Sequence, residues 1–80
     1  MEELRHYLKS LPVAERHAFA ARIGTTLKYL GVALAAKKRL GIETAIRIER
    51  ESGRRVMRSM VRPDVDWEYI RAADQEAAGA

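Results

Sequence analysis

Apolar positions recur along this chain at helical spacings, and the polar residues between them mark where each helix starts and stops. Leu4, Tyr7, Leu8 and Leu11 fall at i, i+3, i+4 and i+7, which predicts a first helix over Glu2 to Ser10 with one buried side. The acidic pair Glu2-Glu3 suits the positive end of that helix. Pro12 lacks an N–H that a first turn would leave unpaired, so a second helix is predicted from Pro12 to Ile23. Phe19 and Ile23 give it an apolar side, and Leu27, Leu30 and Leu34 do the same for a third helix, which opens at Thr25, a residue able to cap free N–H groups, and continues to Ala36.

Between these two helices Gly24 can take a positive φ without steric cost, and Ala20, four residues earlier, is small enough for the helices to cross closely. Residues 16–34 therefore read as a helix-turn-helix, with Thr26, Lys28 and Val32 facing outward, where a DNA groove could be read. A fourth helix turns Ile42, Ala45, Ile46 and Ile48 inward and ends near Ser52, with Gly53 available for the left-handed position after it. The pattern then weakens. Val56, Met57, Met60 and Val61 predict an irregular stretch or a single helical turn, with the methionines as core or dimer filler. Pro63 interrupts it, and Asp66 is placed to cap a last helix carrying Trp67 and Ile70. Trp67 is expected to plug the core or a dimer seam.

With 80 residues, aromatic content of 6% and two prolines, the composition favours one small all-α domain. The expected architecture is a compact four- to five-helix bundle over residues 1–72, of the lambda-repressor-like kind, followed by a frayed acidic tail at 73–80. A chain this short buries only roughly 60% of its unfolded surface, which makes a homodimer a natural source of further stability.

Charge sharpens the picture because it is segregated. Residues 1–36 hold five basic and three acidic groups, residues 37–62 nine and three, and residues 63–80 one and five. A basic block beside a candidate recognition helix is the electrostatic footprint of a phosphate-binding surface, although a solvated charged face has the same composition.

Other chemistry finds little support. The absence of cysteine removes disulfides and thiolate ligands and fits a reducing, cytoplasmic setting. No apolar run approaches the ~20 residues of a membrane span, and no signal peptide is recognisable. The basic helices also lack the strongly cationic face of a membrane-surface helix. His6 and His17 stand on different helices without metal-ligand spacing, and Asp64, Asp66 and Glu68 lack the ligands and glycine turn of an ion loop. The five glycines are scattered singly, and Ser10, Ser52 and Ser59 have no neighbouring histidine. The expectation is a non-enzyme without metal or cofactor.

From Leu11 to Arg71, about three quarters of the chain, the sequence resembles the small helix-turn-helix regulators of the Cro and YdaS antitoxin type found in phages and prophages. The resemblance is carried by Phe19-Ala20, Ile23-Gly24-Thr25, Tyr29-Leu30, the Arg39 loop, Ala45-Ile46, Ile48-Glu49, Ser52-Gly53 and the run Arg62-Pro63-Asp64-Val65-Asp66-Trp67. It implies a helical bundle that binds operator DNA as a dimer and controls transcription, most simply as a repressor. This chain departs from the family at Gly31 and Val32, where polar residues are usual, and at Lys37, where a glycine is usual.

Together these readings predict double-stranded DNA as the partner. Thr26 and Lys28 would contact bases or phosphates and Val32 a thymine methyl, while Thr25, Lys37, Lys38 and Arg39 would hold phosphates. The alternative is a phage or antitoxin-type protein that uses the same scaffold to grip a protein partner, a reading that the small, apolar Gly31-Val32 face favours.

Overall fold

The computed structural model describes residues 2–71, and within them every regular element is helical. The order is α1 (Glu2–Lys9), α2 (Val13–Arg22), α3 (Leu27–Ala35), α4 (Ile42–Glu51) and α5 (Arg58–Val61), followed by a segment, α6, that is helical at 67–71. Six helical segments replace the expected four or five because 58–61 closes a separate turn of its own. The predicted tail at 73–80 lies outside the described residues.

The core is built from one side of each element. Leu4 and Leu8 of α1, Phe19 and Ala20 of α2, Leu30 and Ala33 of α3, Ala45 and Ile48 of α4, and Val61 of α5 are buried together with Ile23, Leu40 and Val56 from the connections. Tyr7, Leu11, Leu27, Leu34 and Trp67 pack around them. Tyr7 meets Phe19 edge-on, with ring centroids 5.3 Å apart. Ile42 departs from the expectation: it stands in the first turn of α4 and is 40% exposed, while Ala45 and Ile48 carry that helix into the core.

Three helices stop in the same way. After α2 the N–H of Gly24 bonds the carbonyl of Ala21 and that of Thr25 bonds Ala20; after α3 Lys37 bonds Leu34 and Lys38 bonds Ala33; after α4 Gly53 bonds Arg50 and Arg54 bonds Glu49. This paired pattern is the Schellman motif, which satisfies the last carbonyls of a helix and needs a left-handed residue just past its end. Gly24 at φ 83° and Gly53 at φ 64° supply it cheaply. After α3 the position falls to Lys37 at φ 55°, where the side chain makes the same turn costly.

The starts of the helices shift by a residue or two from their expected places. Thr25 does not cap α3: its N–H closes the end of α2, and α3 begins only at Leu27, one residue later than a Thr25 cap requires. Thr26 is the N-cap, its Oγ1 accepting from the N–H of Tyr29 at 3.1 Å. Pro12 stands at the N-cap of α2 instead of inside its first turn. Asp66 caps α6 as predicted, accepting from the N–H of Tyr69 at 3.1 Å.

Candidate nucleic-acid interface

The predicted contact residues fall in two places. The first is the outward side of α3, where Lys28, Val32 and Ala35 lie at i, i+4 and i+7 and all are exposed. Val32 is 49% exposed and Tyr29, one turn away, 47%. Tyr29 was not among the predicted contacts. Its spacing from Val32 at i, i+3, against a core-facing series of buried Leu30 and Ala33 and partly buried Leu34, is the sequence signal that places it outside. Gly31 is also exposed, and a Cβ built on it would meet nothing within 4 Å. The face is thus nearly flat, with an ammonium group toward its N-terminal end, an aromatic ring beside it and small residues beyond.

Thr25 and Thr26 stand at the N-terminal approach to this face. Thr25 is half-buried, and the Thr26 oxygen accepts one bond in capping, which leaves its hydroxyl proton to donate and one lone pair to accept. Lys28 takes part in none of the ion pairs among the described residues.

The second place is the connection after α3. Lys37, Lys38 and Arg39 are all exposed and line a cleft of about 430 Å³ together with Glu2 and Arg5 of α1, Leu34, Val61 and the segment Arg62-Pro63-Asp64. Thr25, Thr26, Lys28 and Val32 do not line it. The structure therefore brings the three loop cations together and adds Arg5 and Arg62, whose place beside Lys37 to Arg39 the sequence did not predict because more than twenty residues separate them.

Arg62 holds the wall of this cleft. Its Nε and Nη2 donate to the two oxygens of Asp64 at 2.9 and 3.0 Å, and its Nη1 donates to the carbonyl of Leu40 at 2.9 Å. Behind it, the Trp67 indole N–H donates to the Arg62 carbonyl at 2.9 Å. The run Arg62 to Trp67 is thus a staple that ties the chain after α5 to the end of the α3–α4 connection. The fork of Arg62, with help from the Arg39 charge, lowers the Asp64 carboxyl from 3.8 to about 2, and the same pairing raises the Arg62 guanidinium. Arg39 Nη1 lies 3.4 Å from Asp64 Oδ2, the oxygen that also accepts from Arg62 Nη2.

A second ion pair braces α4 against α5. Glu49, 7% exposed, accepts from Arg58 Nε at 2.9 Å and from the Arg58 backbone N–H at 3.4 Å. Met57 at the N-cap of α5 provides no side-chain cap, so the carboxylate of Glu49 does that work from another helix. Burial pushes the Glu49 carboxyl up, but the hydrogen bonds and charge of Arg58, with the charge of Arg54, outweigh it and hold the group below its ordinary value. The Arg58 guanidinium also lies 5.6 Å from the centre of the Trp67 ring.

His6 and His17 are exposed, and the described residues contain no cluster of His, Cys, Asp or Glu fit to hold a metal ion. No helix among them is long and apolar enough to cross a membrane. Comparison of the chain with protein-family models, with characterised proteins and with solved structures found no significant match.

Proposed function

We propose that this protein is a sequence-specific DNA-binding regulator of transcription, in which α2, the turn at Gly24 and α3 act as a helix-turn-helix. The observation that carries this reading is the outward face of α3: it is solvent-exposed along its length, has Lys28, in no ion pair among the described residues, near its N-terminal end and leads directly into the cationic run Lys37-Lys38-Arg39. A helix of this kind enters the major groove with its N-terminal residues on base edges, while cations beyond it bind phosphates and fix its register. Lys28 would donate to a guanine edge or a phosphate, and Tyr29 and Val32 would make apolar contact with a thymine methyl. A homodimer would read two half-sites about 34 Å apart and most simply block a promoter as a repressor.

The test is a gel-shift titration on the DNA upstream of the protein's own gene, at two salt concentrations and with excess unrelated duplex. A shift that resists competitor supports the reading. Lys28→Ala should weaken it with the fold intact, and alanine at both Lys37 and Lys38 should flatten the salt dependence by roughly 0.9 in log–log slope for each phosphate that the variant no longer neutralises.

The exposure of Tyr29 and Val32 beside Gly31 favours one second reading, in which the same face grips a protein partner, since close helix packing needs small and apolar residues. Such a complex should change little with salt, whereas phosphate binding weakens steeply.

A further inference from the structure

We propose that the cleft between the start of α1 and the α3–α4 connection binds a small phosphate ester, with the phosphate held by Arg5, Lys37 and Lys38 and its organic part lying on Leu34, Val61 and Pro63. Five cations line the cleft against two carboxylates, and both carboxylates already have partners. Asp64 is forked by Arg62 and touched by Arg39, and Glu2 lies 4.0 Å from Arg5 and 3.8 Å from His6. Lys37 and Lys38 take part in none of the ion pairs among the described residues. Positive charge is therefore in excess where three separate stretches of chain converge, which is the arrangement that draws in a compact anion.

These lysines are not needed to finish α3. Its last carbonyls are taken by the backbone N–H groups of Lys37 and Lys38, so the ammonium groups are left over. Lys37 moreover stands in a left-handed turn where glycine would be cheaper, so the backbone at this position does not itself call for a lysine. Arg5 is loosely held, with Nη2 at 3.4 Å from the Leu34 carbonyl, and can turn toward an incoming oxygen. Arg62, by contrast, is committed on all three nitrogens and gives the cleft a fixed wall. The volume of about 430 Å³ lies within the ~300–1,000 Å³ usual for small-molecule sites.

The source of the phosphate is separable, because a free ester needs no DNA and a duplex phosphate needs no apolar floor. The experiment is a ¹⁵N-resolved NMR titration of the full chain with pyrophosphate, with adenosine monophosphate and with a short duplex, at constant ionic strength. Saturable shifts of the amides at Arg5, Leu34 to Leu40 and Arg62 are expected with both small anions, and of Val61 with adenosine monophosphate alone, since pyrophosphate has no organic part to lie on the apolar floor. Arg5→Gln, at a half-buried position, and Lys38→Gln, at an exposed one, should each weaken binding about ten-fold. Arg55→Gln, outside the cleft, should leave it unchanged. Linear, unsaturating shifts, equal losses in the Arg55→Gln variant, or a response to the duplex alone would each overturn the proposal. The small-anion arms read the same whether or not the protein binds an operator, so this inference and the DNA reading fail independently.

Discussion

Replacing Lys37 by glycine sets the backbone of this residue against its side chain. At φ 55° Lys37 occupies the left-handed position that closes α3, with its N–H on the Leu34 carbonyl. That conformation costs a residue with a Cβ roughly 1–2 kcal/mol. Glycine removes the cost but gives back about 0.5–1 kcal/mol through its greater freedom in the unfolded chain. The net backbone gain is about 0.7 kcal/mol, of which loss of the ammonium beside the negative end of α3 takes back up to about 0.5 kcal/mol. In a domain of this size, where 1 kcal/mol moves the midpoint by about 4–8 °C, Tm should rise by about 1–6 °C. Alanine is the control, since it keeps the strained turn while removing the ammonium group. Its loss of a cation beyond the negative end of α3 should lower stability by no more than about 0.5 kcal/mol. Thermal melts followed by circular dichroism, with urea titrations at one temperature, measure both variants. The cleft assay should separate them differently, because glycine and alanine both delete the ammonium and should lose pyrophosphate affinity alike. A glycine variant that melts at or below the alanine variant would refute the strain argument, and unchanged affinity in both would remove Lys37 from the cleft's chemistry.

Two glycines should respond in opposite directions to alanine. Gly31→Ala meets open space on an exposed helix and should stabilise α3 by about 1 kcal/mol, whereas Gly24→Ala must hold φ 83° with its Cβ 2.9 Å from Arg47 Nη1 and should destabilise by at least about 1 kcal/mol; urea midpoints that move together would contradict this. Glu49→Gln should cost about 2 kcal/mol in urea unfolding, less than a fully buried pair because Arg58 is partly solvated, and a loss below about 0.5 kcal/mol would show that the brace between α4 and α5 is dispensable. The Asp64 carboxyl titrates lower in the folded chain, near 2, than its ordinary 3.8, so its contribution is complete above about pH 4 and disappears as pH falls toward 2. Asp64→Asn should accordingly unfold at lower urea than the parent at pH 6 and at nearly the same urea at pH 2; a gap independent of pH would exclude the Arg62 fork as its source.

Much of this protein was decided locally and could be read from the chain. The apolar spacing of Leu4 and Leu8, of Phe19 and Ile23, and of Leu30 and Leu34 already separated the core side of the first three helices from the solvent side. Gly24, Gly53 and Asp66 act within one turn of their own positions, through φ freedom or a short side chain reaching its neighbours' N–H groups, and took the places their sequence context predicts. Residues whose roles depend on partners far along the chain behaved otherwise. Thr25 lost the cap to Thr26 because the turn that closes α2 runs through Thr25 and α3 begins only at Leu27, and Ile42 is left half-exposed in the first turn of α4 while the core covers Ala45 and Ile48. Glu49 reads as one more charge on an amphipathic helix until Arg58 is brought against it, and Arg62 as one cation among nine in the basic block until Leu40 and Asp64 close on its three nitrogens. The cleft belongs wholly to this second kind. Sequence alone set the chemistry of its residues, but an ionic site depends on charges within a few ångströms of one another, and only the packing of α1 against the α3–α4 connection and the 62–64 staple put Arg5, Lys37 and Lys38 at that range.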